Sequence, residues 1–547
     1  MSNTKKSETP AETQSTLFEL GKAIDLKPYK TIRIAVSGDV LLNKLETRIV
    51  DTRDFQRLRS IKALGTTYLV YPTALHTRFD HSLGTLSMAM EMARAIRENK
   101  HNTEEERRIA PEEEQLIRLY AVLHDIGHIP FGHTLEDEFC IFPRHDEDSD
   151  RIERFLGEDS EIGKVLIQDL GKDLYKRFMS IYRADKENLD QLGEDLYIYD
   201  LVNNTVCADL LDYLRRDCYF CNIILDMDYR FLKYLYLRKD GATKRVVIRL
   251  WKEGKPSPRR DILSELIRLL DNRYLLGERV YFHHAKLISG AMVEGAVKRL
   301  KDAGKLKKSD MYEIGDETLL DKLENSKVDS VRKLVSALRE RNLWKKIFER
   351  DRITIDAEQA QLRDLDVMGA IKNRWWTDSS NRTMDEDHLA AAVGIDSGDL
   401  LIHCPDSKMA MKLAEMKVFW NGNLRPLKDC ADDPVVGPKL SVILKSHESL
   451  WAIRAFLNPD CLDKEDIVVN ACQQLFTFEP ISKSRYERLF YRNIVDQTAH
   501  SEGLVTNILH DEYERKASVA IERLVSQTSA LRDRNVVRKI VKDAFTS

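Results

Sequence analysis

The stretch "LHDIGHIPFGH", Leu123 to His133, places three histidines and one aspartate within eleven residues, where Gly127, Pro130 and Gly132 interrupt regular structure. It constrains the fold because a helix must end in it. The preceding "PEEEQLIRLYAV" opens on proline with acids in its first turn, a helix N-terminus. His124 and His128 are four apart and share a helix face, and Asp125 adjoins His124. At a terminating helix, imidazole nitrogen and carboxylate oxygen can turn toward one point, a donor set suited to a borderline or hard divalent cation. A lone buried histidine is ordinarily a hydrogen-bonded core residue. Here, however, seven of the 14 histidines lie between His76 and His145, which argues for a site.

At 547 residues the chain exceeds one ordinary core, so two or three domains are expected. Hydrophobic residues at 43% and charged residues at 32% describe a folded, polar-surfaced protein. A net charge of -4 gives no electrostatic case for a dedicated nucleic-acid binder, although a local basic pocket remains compatible with it. Eight cysteines without a framework suit a reducing compartment. Cys218 to Cys221 form the single C-x-x-C; zinc would need a second pair, so core or helix-face thiols are expected. There is no charged-then-apolar leader and no run of about 18 apolar residues to span a bilayer, so a cytoplasmic protein without membrane contact is expected.

Along the chain, residues 1–29 read as a disordered or extended tail, with Met1 to Thr16 the most polar part. From Lys30, "KTIRIAVSGDVLLNKLETRIVDT" alternates as short strands and a turn, and from Asp54 the pattern becomes helical through Phe55, Leu58, Ile61 and Leu64. Helices are predicted in "HSLGTLSMAMEMARAIREN", in "VCADLLDYLRRDCYFC", and continuously from Arg259 through "RYLLGERVYFHHAK" to Leu300. A hairpin turning at Asp240-Gly241 interrupts them. After a boundary near residue 350, "DLLIHCPD", "MKVFWNGNLRPL" and "SLWAIRAFLNPD" read as strands, with a hairpin at Asn421-Gly422, and an amphipathic helix from His510 closes the chain. No cluster of titratable groups beyond residue 350 reads as a site. The expected fold is mainly α: a helical core with small β hairpins over 30–350, then an α+β region over 351–547.

Two further blocks flank the histidine cluster: "HTRFDHSLG" at His76 to Gly84 and "ADLLDYLRRD" at Ala208 to Asp217. With "DTRDFQRLRSIKALG" before them, the order H…HD…D resembles the HD-domain metal-dependent phosphohydrolases. Within these it most resembles the deoxynucleoside-triphosphate (dNTP) triphosphohydrolases, including the vertebrate form that joins a sterile alpha motif to an HD domain. The likeness runs from about Lys30 to Leu300, with a weaker echo in the C-terminal third. It does not include a sterile alpha motif, for which too little sequence precedes Lys30. The resemblance implies that His81, His124, Asp125 and Asp209 ligate one divalent metal (Mg, Mn, Fe, Co, Ni or Zn). It places His133 and His145 beside the α-phosphate, where an imidazole can donate a proton near neutral pH. His128 is expected to orient a neighbour, and Glu136 stands where many relatives carry aspartate. "HDEDS" at His145 has Asp146 where glutamate is usual.

For the substrate, Arg78 lies one turn before His81, within reach of a phosphate, and the same resemblance implies a phosphate contact from Arg273, a base contact from Leu64, groups near the sugar 3′-hydroxyl at Tyr213 and Asp217, and sugar stacking by Tyr281. Departures fall at Leu210, Ala63 and Gly277, where the vertebrate form has lysine, glutamine and histidine; they bear on base preference and phosphate-end binding. Asp51, Gln56 and Arg59 match a segment that holds a regulatory nucleotide, whereas the plain structural role of Asp51 is a helix N-cap. Together these imply hydrolysis of dNTP to deoxynucleoside and tripolyphosphate, in a homo-oligomer (dimer, tetramer or hexamer), with antiviral dNTP depletion as one role. The alternatives are an HD phosphodiesterase or nuclease acting on another nucleotide, and a nucleotide-sensing assembly module without turnover.

Overall fold

The computed structural model describes residues 24–185, 187–225, 227–251, 259–361, 367–406, 416–420, 423–430, 436–476 and 534–546, with 516, 517, 519, 520 and 523. The tail to Thr16, the Asn421-Gly422 turn and most of the closing stretch before Arg534 lie outside the described residues. The fold is mainly helical with small sheets. Strands β1 (Lys30–Ile34) and β2 (Gly38–Leu42) form the first hairpin. "KLETRIV", expected to continue as strand and turn, is a helix, Lys44–Val50. The reason is local: Asn43 and Glu46 close a capping box, each side chain bonding the other's backbone N–H. The helical reading from Asp54 holds as one short turn, Arg53–Gln56, followed by 3-10 geometry over Arg57–Ser60.

Three helices carry the site: Arg78–Glu98, Pro111–Leu123 and Ala208–Phe220. The first packs tightly on the third because Gly84 lacks a side chain; a Cβ there would stand 2.0 Å from Asp212 Oδ1. The helix predicted without a break from Arg259 to Leu300 is two helices, Arg260–Leu276 and His284–Asp302, joined by a π turn at Gly277–Tyr281. That turn swings Tyr281 toward the site. Strands β3 (Leu235–Asp240) and β4 (Thr243–Arg249) form the predicted hairpin, with Gly241 at φ 65° in its turn.

Later strands complete sheets with earlier ones. β7 (Lys417–Trp420) pairs in parallel with β4 and antiparallel with β8 (Asn423–Pro426). A second sheet has the order β5-β9-β6, from Lys345–Asp351, Ala452–Leu457 and Leu400–His403. Strand alternation divides this sheet between two hydrophobic clusters. Leu401 and Phe456 join the main core, while Leu400, Ile402, Ile453 and Ala455 face the cluster built on Ile355, Trp375 and Phe476. Cys218 and Cys221 are buried thiols. Among the described residues, no helix is long and apolar enough to cross a membrane.

Candidate active site

The helix Pro111–Leu123 ends at His124, still in right-handed geometry at φ -53°, and the loop after it is held open by close contacts. A Cβ on Gly132 would lie 2.4 Å from His128 Nδ1, so only glycine fits there. Phe131 sits at φ 52°, a costly conformation for a side-chain-bearing residue. Its N–H donates to Asp316 Oδ1 at 3.0 Å, and Asp316 Oδ2 accepts from Lys62 N at 2.8 Å. One buried carboxylate thus ties together two loops of the cleft, while burial pushes its pKa up to about 6 against those two N–H donors.

His81 from the first helix, His124 and Asp125 from the second, and Asp209 from the third converge. His81 Nε2 lies 3.1 Å from Asp209 Oδ1 and 3.6 Å from Asp125 Oδ2. His124 Nε2 lies 3.3 Å from His81 Nε2, 3.4 Å from Asp125 Oδ1 and 3.7 Å from Asp209 Oδ1. Neighbouring ligands on a cation with bonds of about 2.1 Å stand roughly 3.0–3.4 Å apart, so this donor set fits a divalent ion with little adjustment. The far nitrogens are oriented as metal-ligating histidines usually are: His81 Nδ1 faces Asp212 Oδ2 at 2.9 Å, and His124 Nδ1 faces Ala121 O at 2.8 Å. Asp212 is itself held by Arg216 at 2.8 and 2.9 Å. Burial lowers the His81 pKa, but Asp209, Asp212 and Asp125 override it and raise it to about 10, the mark of a carboxylate-rich pocket that favours positive charge. Burial would raise the Asp125 pKa, yet His124, Arg78 and His128 hold it well below the carboxylate range.

These groups open into a cleft of about 410 Å³, which Leu64, Arg78, His133, His145, Tyr213, Asp217, Arg273 and Tyr281 also line. Arg78 Nη1 donates to Asp125 Oδ2 at 2.7 Å and its Nη2 to Ala63 O at 3.2 Å. Asp217 is gripped from both sides, by His76 Nε2 at 2.8 Å and by the Tyr281 hydroxyl at 2.6 Å. The Tyr213 and Tyr281 rings meet edge to face at 6.5 Å. His133 stays half-open to solvent with Nδ1 2.6 Å from Asp137 Oδ2. Glu136 and His128 lie behind the cleft wall, fully buried, and Glu136 pairs with Arg151.

Asp51, Gln56 and Arg59 do not line the cleft. Asp51 caps the C-terminus of its helix and pairs with Lys30 at 3.0 Å; the N-cap expected there is Thr52 instead, whose hydroxyl accepts from Phe55 N. Gln56 bonds Val50 O, and Arg59 lies 3.5 Å over the Phe79 ring and bonds Gln56. The motif reading overlooked Asp137, Asp212, Arg216, Arg151, His76, Lys286 and Asp316. Asp212 and Arg216 had a local signal, lying three and seven residues after Asp209 on its helix, as did His76, which opens the block that holds His81.

The sequence pattern of the HD domain matches residues 78–216, and that of the HD-associated region matches residues 267–432. A deoxynucleoside triphosphate triphosphohydrolase SAMHD1 homolog of Dictyostelium discoideum is 28% identical over 394 residues, 69% of this chain and 67% of that protein. Human deoxynucleoside triphosphate triphosphohydrolase SAMHD1 is 27% identical over 301 residues, 51% of this chain and 46% of that protein. An uncharacterised protein of Methanocaldococcus jannaschii is 30% identical over 322 residues, 58% of this chain and 59% of that protein. The chain thus spans about half to two thirds of the curated relatives it matches. A crystal structure of a hypothetical Aquifex aeolicus protein shares the fold at a TM-score of 0.55 and 20% identity, over 80% of this chain and 99% of that one. The chain is therefore an HD-domain protein, with an HD domain followed by an HD-associated region, and SAMHD1 dNTP triphosphohydrolases are among its homologues.

Proposed function

We propose that this protein hydrolyses dNTPs at the α-phosphate, releasing deoxynucleoside and tripolyphosphate. The observation that carries the reading is convergence: a metal-ready donor set and a sugar-sized wall of Tyr213, Asp217 and Tyr281 face one cleft. A divalent ion held by His81, His124, Asp125 and Asp209 would neutralise phosphate charge and lower the pKa of water. Its identity is open among Mg, Mn, Fe, Co, Ni and Zn.

The chain's own groups then divide the work. Arg78, anchored on Asp125, and Arg273 offer guanidinium donors to the phosphate chain. His133 is the proton donor to the departing 5′-oxygen, because it alone of the loop histidines is half-open, and Asp137 on Nδ1 turns Nε2 away from the carboxylate. Asp217, fixed by His76 and Tyr281, accepts from the sugar 3′-hydroxyl. Tyr281 packed against C2′ excludes ribose.

The reading extends to Asp51, Gln56 and Arg59 as a regulatory nucleotide site in a homo-oligomer, to residues 30–350 as the phosphohydrolase domain with 351–547 as its C-terminal region, and to antiviral dNTP depletion in the cytoplasm. Arg59→Ala then removes any difference between single-nucleotide and mixed-nucleotide rates. The deciding experiment incubates each dNTP, singly and mixed, with each metal and separates products by anion exchange. Tripolyphosphate supports the proposal. Pyrophosphate or orthophosphate release, or inert dNTPs with turnover of a cyclic nucleotide or single strand, overturns it in favour of an HD phosphodiesterase or nuclease.

A further inference from the structure

Lys286 has no part in the chemistry described so far. It borders the cleft, although its side chain is only 7% exposed. Among the described residues its hydrogen-bond partner is Glu138, which takes one of the three N–H donors. Glu138 comes from the π turn Thr134–Glu138 that follows the histidine loop. Its second oxygen, Oε2, is closed off from solvent without a hydrogen-bond partner and lies against Gly290, where a Cβ would meet it at 3.4 Å. The carboxylate is wedged from behind, and what the pair offers the cleft is the ammonium.

Its surroundings set it apart from the phosphate side. Arg78 is anchored on Asp125, and Arg273 acts on the Tyr213 hydroxyl beside Asp209, so both guanidiniums stand by the metal-facing donors. Lys286 belongs to another corner. Ser289, one turn further along its helix, lies 2.8 Å from Thr66 Oγ1 and ties that helix to the loop of Leu64 and Gly65. Gly65, at φ 53°, leaves room for Phe131, whose Cδ1 would stand 3.7 Å from a Cβ there. Leu64, Phe131 and Phe282 give this corner apolar surface. Lys62, the other lysine on the cleft, is held by Glu317 at 2.8 Å. Apolar walls with one buried donor suit a planar heterocycle that carries an acceptor.

We infer that Lys286 reads the exocyclic group of the nucleobase and selects keto over amino bases, guanine and thymine over adenine and cytosine. The inference rests on the proposed reading of the cleft as a dNTP site. Guanine O6 and thymine O4 accept hydrogen bonds, whereas adenine N6 and cytosine N4 donate them. An ammonium has donors alone, so a keto oxygen pairs with it and an amino group meets it donor to donor. A site built to hydrogen-bond one group rejects the analogue that cannot return the bond, because its own buried polar atom is left unpaired. Glu138 is a positioning residue: it holds the ammonium at the corner, and its inner oxygen stays out of reach of the base.

The full chain is assayed with dGTP, dTTP, dATP and dCTP, and with the triphosphate of 2-aminopurine deoxyriboside, which differs from dGTP in lacking O6. Turnover is measured with metal as kcat/KM, and dissociation constants are measured in chelator, where binding is read without turnover. In both, dGTP and dTTP should exceed dATP, dCTP and the 2-aminopurine nucleotide by at least about tenfold. Lys286→Met should erase the difference between the two classes. No class difference in the wild type overturns the proposal, and so does an equal fall for all five nucleotides in the variant, which would make Lys286 a phosphate contact. Because Lys286→Met leaves the Glu138 carboxylate without its cation, Lys286→Met/Glu138→Gln removes both charges and is judged by the same ratios. If neither variant folds, dGTP against the 2-aminopurine nucleotide in the wild type decides, and equal values overturn the proposal. If no dNTP turns over while the dissociation constants keep the class difference, the hydrolysis reading falls and the base reading stands.

Discussion

Two buried charge clusters in this molecule use the same residue types to opposite ends. In the cleft, Asp125, Asp209, His81 and His124 turn their polar atoms toward one open point at separations of 3.1–3.7 Å. In the seam between the helix His284–Asp302 and the later sheet, charges are matched to one another and to backbone. Arg382 Nη1 donates to Trp375 O at 2.7 Å, and its Nη2 to Phe139 O at 3.1 Å and to Glu294 at 2.7 Å. Glu386 accepts from Ile402 N at 2.8 Å and faces Arg299 at 3.5 Å. The sequence reading expected no titratable cluster that would act as a site beyond residue 350, and the charges of the seam form a structural joint. The lesson is that burial and charge alone do not mark a site. What marks it is polar atoms directed at a cavity.

This contrast is open to attack by substitution, and the largest effect should fall in the cleft. Asp125→Ala or His124→Ala is expected to cut turnover by at least about a thousandfold, roughly 4 kcal/mol of barrier, and to lower bound metal, with the chain still folded. Near wild-type activity in either variant would show that the cleft is no metal centre.

The seam should behave inversely. Arg382→Ala strands Glu294 in the interior and should cost about 3–5 kcal/mol of stability, read by denaturant unfolding, while the folded fraction binds metal normally. Loss of metal without loss of stability would erase the distinction between the two clusters.

A smaller change tests the sugar wall. Tyr281→Phe removes the hydrogen bond to Asp217, worth about 0.5–1.5 kcal/mol, so KM should rise roughly three- to tenfold with kcat nearly constant. An equal fall in kcat would put Tyr281 in the chemistry instead.

The last expected effect is a pH slope. Burial, with Glu294 adding to it, pushes the Glu386 pKa well above the glutamate range despite Arg299 and Arg382. The folded chain therefore keeps a proton that the unfolded chain has released. Stability should fall as pH rises from about 4.3 through the raised folded value. Glu386→Gln should flatten that slope, and Asp125→Ala should leave it. An unchanged slope in Glu386→Gln would place its origin elsewhere.

The cleft was far more legible in sequence than the seam. His124, Asp125 and His128 lie within five residues at a helix end, which drew attention to them, and the resemblance to the HD phosphohydrolases singled out His81 and Asp209 in short blocks of their own. Arg382 and Glu294 are 88 residues apart, and nothing local to either announces the other. The misread elements have the same origin. "KLETRIV" alternates like a strand, but the capping box of Asn43 and Glu46, further locked by Arg118, makes it a helix.

By itself, the sequence determined the helices that end beside the histidine cluster and the hairpins at Asp240-Gly241 and β1–β2, because periodicity, caps and turn residues act over a few positions. Only the tertiary structure decided that Asp212 backs His81 from 131 residues away, and that Asp316 ties Phe131 to Lys62 across separations of 185 and 254. It also decided that Glu136 faces two imidazoles at once, and that β7 extends the sheet begun by β4. Such pairings depend on which surfaces the packed helices bring together, and a one-dimensional pattern carries no record of that.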